Sequence, residues 1–291
     1  MKIQIENLSF RYKSLGSGPD PVLKDIHLEI NEGEFLALVG PSGSGKTTLM
    51  QHFTGLLKPD EGRILVDDAD IWNKSMNRTQ LRRQMGLVFQ FPESQLFEET
   101  VFDDIAFGPR NFGLNDSEVG ERVQESLANV GLDFETFKDI SPFHLSEGEK
   151  RRVAIAGILA MNPDCLILDE PTAGLDGAGV DAVVNTLNAF HGQGKTVLLI
   201  SHNLDLVASI VERIVVINHG KIRFDGGKRV LFKNEDLLEE VGLTLPRIVL
   251  VVRHLKQKGW LDSDDIYCLD ALKSELAHSS KLRKKSMIFE I

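Results

Sequence analysis

One stretch of the sequence combines glycines, a lysine and hydroxyl groups at a spacing that suits phosphate binding. It fits the pattern G-x-x-x-x-G-K-[ST] and consists of Gly40, Pro41, Ser42, Gly43, Ser44, Gly45, Lys46, Thr47 and Thr48. The glycines allow a tight turn whose backbone N–H groups point at phosphate oxygens, and a following helix N-terminus adds positive charge. We expect Lys46 to reach the β- and γ-phosphates and the Thr47 hydroxyl to ligate Mg²⁺. The stretch therefore predicts the binding of a nucleoside triphosphate.

Two carboxylates, Asp169 and Glu170, come directly after the apolar run Leu166–Leu168. This order predicts a buried strand that delivers both side chains at its carboxyl end. In P-loop proteins an aspartate at such a strand end holds Mg²⁺, so Asp169 is the predicted second metal contact. Glu170 is the candidate that orients and deprotonates an attacking water molecule.

Polar residues follow two other predicted strands, at Gln90 and at His202. Ligand sites in α/β sheets lie at the carboxyl ends of strands, so both residues are site candidates. We expect Gln90 to contact Mg²⁺ or water. His202 is expected to contact the γ-phosphate or Glu170.

A capping box is predicted where Ser146, Glu147, Gly148 and Glu149 precede a helix. Ser146 takes the N-cap position and Glu149 the third helical position, which stabilises the start of a helix. The four residues fit a second interpretation, in which this helix end binds the γ-phosphate of ATP held by another subunit. Both interpretations stay open at this point.

Strands and helices must hold these candidates in place. Glu34–Val39 reads as a strand before the phosphate-binding stretch and Thr47–Phe53 as a helix after it, and residues from Ile3 to Tyr12 alternate as in an edge strand. Further apolar runs predict strands at Val22–Ile30, Arg63–Val66, Met85–Phe89, Cys165–Leu168, Thr196–Ile200 and Arg213–Ile217. Apolar residues at helical spacing predict helices at Glu118–Val130, Lys150–Met161, Val180–Phe190 and Glu235–Glu240, and over Ile248, Val251, Val252 and Leu255. Strands alternating with helices predict a mostly parallel sheet covered by helices.

Composition limits the function classes. The formal net charge is −10 over 291 residues, which argues against a nucleic-acid-binding surface. The two cysteines, Cys165 and Cys268, lie far apart and fit a reducing compartment, with Cys165 expected as a small buried side chain. We expect no signal peptide and no membrane span, so another chain would have to hold the protein at a membrane. The basic run Lys281–Lys285 fits either a solvated tail or contact with anionic lipid headgroups.

Taken together, these motifs resemble those of the ATP-binding subunits of ABC transporters. The resemblance assigns Walker A to Gly40–Thr47, the Q-loop to Gln90, the signature to Leu145–Glu149, Walker B to Leu166–Glu170, the D-loop to Ala173–Asp176 and the switch histidine to His202. It also implies that Tyr12 stacks on adenine, that Asp176 acts in the D-loop, and that ATP and Mg²⁺ bind. The structural alternative for Tyr12 is an outward residue of an alternating strand.

Several segments are similar to the energy-coupling-factor (ECF) importers, the group that includes cobalt and nickel uptake ATPases. These segments are Phe89–Thr100, Asp104–Pro109, Arg151–Gly157 and Leu237–Pro246. The similarity implies that the ATPase lies at the cytoplasmic face of the membrane and powers the uptake of a vitamin or transition-metal ion. It implies three partners: a second ATPase, identical or paralogous, a transmembrane coupling protein and a substrate-binding membrane component. It also implies that a groove near Gln90–Gly108 receives the coupling helices.

The predicted fold class is α/β, a P-loop NTPase (RecA-like) core with an antiparallel β edge subdomain. We expect an ABC ATPase domain over residues 1–228, with an inserted helical subdomain at 91–162. Residues 229–291 are expected to form a mostly helical extension that helps to hold the ATPase pair together. Two alternatives remain: the ATPase of a conventional ABC importer, and a soluble ABC protein that acts on nucleic acid or ribosomes.

One departure from the family pattern lies in the signature, where Glu147 and Glu149 stand in place of a glycine and a glutamine. Glu149 preserves the capping box. Glu147 places a carboxylate near the expected phosphate, and at about 6 Å with a dielectric constant near 20 the repulsion is roughly 3 kcal/mol per unit charge. We therefore expect a weakened ATP site where this signature is used.

Overall fold

A six-stranded sheet forms the centre of the computed structural model, which describes residues 1–12 and 21–278. In sheet order its strands are β10 (Lys221–Gly227), β9 (Arg213–Asn218), β3 (Phe35–Val39), β8 (Thr196–Ile200), β7 (Cys165–Asp169) and β6 (Met85–Val88). The strands from β9 to β6 run parallel, and only β10 is antiparallel to its neighbour. Every residue of β3, β7 and β8 is buried, as expected for parallel strands covered on both faces.

A second, antiparallel sheet packs beside the first in the order β2 (Leu23–Ile30), β1 (Ile3–Phe10), β4 (Glu61–Val66) and β5 (Ala69–Asp70). Its inward residues share one apolar core with the helix α1 (Lys46–Phe53) and with one face of the central sheet. The predicted α/β class with an antiparallel edge is therefore confirmed. The sequence patterns did not indicate β5 or the exposed edge strand β10.

Helices occupy the chain between β6 and β7. They are α3 (Val101–Asn111), α4 (Asp116–Asn129), α5 (Phe134–Phe137) and α6 (Glu147–Leu159), with short 3₁₀ helices at Pro92–Gln95 and Pro142–His144. The helices α4 and α6 begin two and three residues earlier than the periodicity predicts, because capping boxes at Asn115 and Ser146 start them. A second apolar core, distinct from the one beneath the antiparallel sheet, extends from these helices to the other face of the central sheet.

The remaining helices flank the sheet and form the C-terminal part. They are α2 (Arg78–Gln84), α7 (Gly177–Gly192), α8 (Leu204–Ile210), α9 (Lys228–Lys233), α10 (Glu235–Glu240), α11 (Arg247–Gln257) and α12 (Leu269–His278). In α11 the buried residues are Val249 and Val252, whereas Val251 is 47% exposed, so the predicted apolar stripe is wrong at Val251. The run Lys281–Lys285 lies outside the described residues.

Lys228 joins the C-terminal helices to the core. Its buried ammonium donates a hydrogen bond to the Ala208 carbonyl, forms an ion pair with Glu212 and lies 4.9 Å from the Tyr267 ring centroid. The Cys165 thiol is fully buried in β7, which raises its pKa to about 12, so it is an inert apolar side chain as expected. Among the described residues, no helix is both long enough and apolar enough to cross a bilayer.

Candidate functional site

The loop between β3 and α1 has the conformation that phosphate binding requires. Gly40 has a φ of +153°, and a Cβ at this position would lie 2.1 Å from the Ile217 carbonyl oxygen, so only glycine fits. Lys46 begins α1, and its Nζ donates to the carbonyls of Gly40 and Pro41 at 2.7 and 3.0 Å. Burial lowers the pKa of Lys46, and the nearby carboxylates of Glu170 and Asp169 partly offset that effect. The loop thus holds a partly desolvated cation at a helix N-terminus.

Asp169 lies beside the loop at the end of β7. The Thr47 hydroxyl donates a hydrogen bond of 2.8 Å to Asp169 Oδ2. The Asp169 side chain is buried, and desolvation raises its pKa against the opposing effect of the Thr47 hydrogen bond. A hydroxyl and a carboxylate held together in a poorly hydrated place are oxygen donors of the kind that Mg²⁺ prefers. The structure therefore brings together two of the three predicted metal contacts.

The third predicted metal contact, Gln90, follows β6 and is exposed. The strand register places Val88 beside Leu168, so Gln90 lies beyond the end of β6 on the side of Glu170. Its side chain forms no hydrogen bond with Thr47 or Asp169 in the part of the chain that the structure describes. Gln90 thus borders the site without joining the Thr47–Asp169 pair.

Glu170 combines an unusual backbone conformation with a side chain that Ser201 and His202 hold in place. Its φ is +52°, a left-handed value that is rare outside glycine and concentrates at functional sites. Its Oε1 accepts from the His202 backbone N–H at 2.7 Å and lies 2.6 Å from His202 Nδ1. The Ser201 hydroxyl donates to Oε2 at 3.1 Å. Glu170 itself is only 8% exposed, whereas the His202 side chain is 72% exposed. This arrangement aims a buried carboxylate at an accessible imidazole.

Ser201 was not among the sequence candidates, although it directly precedes His202 at the end of β8. A second feature that the sequence did not indicate is a cleft of about 700 Å³ beside the loop. Gly40–Ser42 and His202–Asp205 form one side of this cleft, and Gly242–Arg247 of the C-terminal part form the other. The Asp205 carboxylate accepts from the Arg247 backbone N–H at 2.6 Å, which ties the end of α11 to α8.

Tyr12 lies near the start of α1 and is 46% exposed. Its hydroxyl is 3.2 Å from the Thr48 hydroxyl and donates to Gln51 Oε1 at 3.4 Å. The ring packs edge-on against Phe10, with centroids 5.0 Å apart. An exposed aromatic ring is thus fixed next to the phosphate-binding loop.

The predicted capping box at the start of α6 is present. Glu149 Oε2 accepts from the Ser146 backbone N–H at 2.9 Å and from its hydroxyl at 2.7 Å, and the Glu149 N–H returns to Ser146 Oγ. The Ser146 hydroxyl is the main cause that lowers the pKa of Glu149. Glu147 is turned toward solvent, 71% exposed, and pairs with Lys150 at 2.8 Å.

The residues of this helix end line a separate cleft. Its volume is about 500 Å³, and Ser146, Glu147, Gly148, Glu149 and Asp176 are among its lining residues. Asp176 also caps α7 by accepting from the Gly179 N–H at 2.8 Å. None of the residues that line this cleft lines the cleft beside Gly40. The two clefts are therefore separate, each with its own lining residues.

A third, mostly apolar cleft of about 170 Å³ lies between α3 and α6. Phe97 and Phe107 meet edge-to-face across it with centroids 5.0 Å apart, and both are about half exposed. Asp104 in the same cleft accepts from the backbone N–H groups of Phe97 and Glu98, and burial raises its pKa. Six of its lining residues lie between Gln95 and Gly108, within the segment for which the sequence predicts a groove.

A model of the ABC transporter family matches residues 23–173, which include the phosphate-binding loop, Ser146 and the Asp169–Glu170 pair. A curated relative from Clostridium tetani, the energy-coupling factor transporter ATP-binding protein EcfA2, is 47% identical over 95% of this chain and 96% of its own length. The chain belongs to the ECF branch of the ABC transporter ATPases. The protein of the same name from Clostridium perfringens is 46% identical over 95% of this chain and 97% of its own length.

Solved structures of this family share the fold. The structure of cbiO1 from Clostridium perfringens, described as part of the ABC transporter complex cbiONQ, has a TM-score of 0.73 and 38% identity, covering 88% of this chain and 98% of that one. The ATP-binding cassette MJ0796, a dimer in a post-hydrolysis state bound to ADP and phosphate, has a TM-score of 0.68 and 30% identity, covering 77% of this chain and 98% of that one. The predicted family and the predicted ATP hydrolase class are thereby confirmed, and the chain is an ATP-binding subunit of a membrane transporter complex.

Proposed function

We propose that this chain hydrolyses MgATP in a head-to-tail ATPase pair and so powers the uptake of a micronutrient, a vitamin or a transition-metal ion. The observation that carries the proposal is the contact between Glu170 and His202 beside the Lys46 loop. In this arrangement Lys46 and the loop N–H groups bind the phosphates, and Tyr12 stacks on the adenine. Ser146 and Gly148 of one subunit face the nucleotide held by the other, an arrangement supported by the separate linings of the two clefts in one chain.

The chemistry follows from the placement of the side chains. Glu170 accepts a proton from the attacking water, and the exposed His202 contacts the γ-phosphate. Thr47 and Asp169 would hold Mg²⁺ with Gln90 at the edge of the site. When bound, Mg²⁺ supplies positive charge to the β- and γ-phosphates. Asp176 caps the start of α7 and lines the same cleft as Ser146. We expect its position to change when the two ATPase subunits close on the nucleotide.

The variant Glu170→Gln tests the assigned base. The amide keeps the shape and accepts from His202, but it cannot take a proton, so ATP binding should persist while turnover falls by about 10²–10⁴-fold. Steady-state hydrolysis and fluorescent-nucleotide binding measure the two effects. The control is Glu6→Gln, which changes a glutamate paired with Arg63 at 2.5 Å on the antiparallel sheet, far from any proposed role. Turnover near the unmodified rate in Glu170→Gln would refute the assignment.

We further propose three partners at the cytoplasmic face of the membrane. They are a second ATPase, identical or paralogous, a transmembrane coupling protein and a substrate-binding membrane component. The apolar cleft between α3 and α6 supports a docking role toward the coupling protein, and the acidic charge of −10 disfavours nucleic acid as a partner. The C-terminal extension, residues 229–291, is proposed to help hold the ATPase pair together.

Affinity purification from detergent-solubilised membranes, followed by mass spectrometry, tests these partners. Recovery of a small transmembrane protein, a second membrane component and an ATPase supports the ECF assembly and identifies the pairing. Recovery of a conventional permease would replace it with the importer alternative. Recovery of ribosomal proteins without membrane proteins would overturn the transport role and leave only the ATPase.

A further inference from the structure

Arg151 lies buried where three segments of the site meet. It belongs to the second turn of α6 and is 2% exposed. Its Nε and Nη2 donate to the two carboxylate oxygens of Glu93 at 2.8 and 2.7 Å. Its Nη1 donates to the carbonyls of Pro171 and Ala173 at 3.0 and 2.9 Å. One guanidinium thus connects α6 to the segment after β6 and to the segment after β7.

Glu93 connects this guanidinium to the cleft between α3 and α6. It lies in the 3₁₀ helix Pro92–Gln95, which follows Gln90, and the chain then continues directly into Leu96 and Phe97 of the cleft. The Glu93 side chain is only 11% exposed. A bidentate pair removed from water holds one geometry more firmly than a surface pair, because both partners lose charge-assisted bonds when they move.

The two carbonyl contacts connect the same guanidinium to the hydrolysis site. Pro171 and Ala173 lie between Glu170 and Asp176, the proposed base and the residue that caps α7. Only arginine carries donors that fork toward a carboxylate on one side and two carbonyls on the other. The neighbouring Arg152 makes longer bonds of 3.2–3.4 Å, all within the helical segment, to the carbonyls of Gly148, Val130 and Gly131. The bridge is therefore specific to Arg151.

We propose that Arg151 is a positioning residue that transmits the state of the α3–α6 cleft to Glu170 through Glu93 and the 171–173 segment. A partner helix seated in the cleft would fix Leu96–Phe97 and the adjoining Glu93, and the rigid fork would then set the place of the segment that carries Glu170. This inference rests on the proposed function, since it assigns a route between the proposed docking cleft and the proposed base.

The test uses the assembled complex with its membrane partners in vesicles. Glu93→Gln keeps the carbonyl contacts of Arg151 but weakens the bridge to the cleft, and Arg151→Met removes the whole fork. We expect kcat for ATP to fall about tenfold or more with KM unchanged, because displaced catalytic groups lose rate while the nucleotide contacts remain. In these variants we also expect more ATP to be hydrolysed per substrate molecule imported, because hydrolysis would no longer depend on the state of the cleft. Arg151→Lys, which keeps the charge, should recover part of the rate, and Glu6→Gln serves again as the control.

The outcomes separate this inference from the proposed function. An unchanged kcat in Glu93→Gln, a rise in KM that accounts for the loss, or an unchanged ratio of ATP to substrate would overturn the positioning role. If the Arg151 variants fail to assemble, Glu93→Gln alone decides. Loss of turnover in Glu170→Gln together with normal behaviour of Glu93→Gln would refute only the inference. Retained turnover in Glu170→Gln would refute the proposed function itself.

Discussion

Neutralising Glu147 should strengthen ATP binding at the composite site that uses this signature. The carboxylate stands in the first turn of α6, where a γ-phosphate from the other subunit would approach. Repulsion at about 6 Å is roughly 3 kcal/mol per unit charge at a dielectric constant near 20, but only about 0.7 kcal/mol in water. Because the side chain is 71% exposed and 2.8 Å from Lys150, the aqueous figure applies. The expected gain in ATP affinity for Glu147→Gln is thus about threefold.

The assay is equilibrium nucleotide binding and steady-state hydrolysis by the assembled complex at low and high ionic strength. An exposed charge is screened by salt, so the gain in affinity should shrink as ionic strength rises. The control is Glu135→Gln, which disrupts an equivalent glutamate–lysine pair, Glu135–Lys138, at 2.6 Å on the helical segment. We expect Glu135→Gln to leave the ATP affinity unchanged at either ionic strength.

Two results would refute the electrostatic reasoning for Glu147. Unchanged ATP affinity in Glu147→Gln at low salt would show that the carboxylate does not act on the phosphate. A gain that persists undiminished at high salt would point to packing at the helix end. Glu147→Gly restores the usual signature residue but adds backbone freedom at the start of α6, so the glutamine variant isolates the charge.

Two further substitutions address the nucleotide site. Asp169→Asn should stabilise the nucleotide-free protein at neutral pH, because burial raises the pKa of Asp169 and the ionised carboxylate therefore opposes folding. In thermal unfolding, this gain in stability should disappear as the pH falls below the ordinary aspartate range. Asp169→Asn should also lose Mg²⁺-dependent hydrolysis. An unfolding temperature that does not rise at pH 7 would contradict the predicted stabilisation. Tyr12→Ala should raise the KM for ATP about tenfold with kcat unchanged, the scale of losing one base–aromatic stack, whereas Tyr12→Phe should be near neutral. Equal KM values for all three proteins would remove Tyr12 from the adenine site.

Local patterns in the sequence predicted those parts of the site that depend on neighbouring residues. The loop from Gly40 to Thr48 is defined by the spacing of glycine, lysine and threonine. The capping box depends on residues three apart, Ser146 and Glu149. Buried strands such as Thr196–Ile200 are uninterrupted apolar runs. Each of these features follows from interactions within a few residues along the chain, so the sequence alone could indicate it.

The edge strand β10 and the stripe of α11 were harder to predict for a physical reason. β10 alternates between exposed and half-buried residues and ends in Gly226 and Gly227, which gives a weak strand signal. In α11 the choice between Val249 and Val251 as buried residues depends on which side of the helix meets the core. Tertiary packing decides which side chains of a helix are buried, and the spacing of apolar residues along the chain does not specify it.

The sequence by itself determined the chemistry that this protein carries: a phosphate loop, a strand-end carboxylate pair and a capped helix, and with them the ABC ATPase family. Only the tertiary structure decided which of these groups meet. The parallel order β8–β7–β6 places His202 against Glu170, 32 residues apart. Folding also brings Glu93 and Arg151, which are 58 residues apart in the sequence, together as one buried ion pair. The physical reason is that hydrogen bonds and ion pairs form according to distance in space, which the sheet order and the helix packing set.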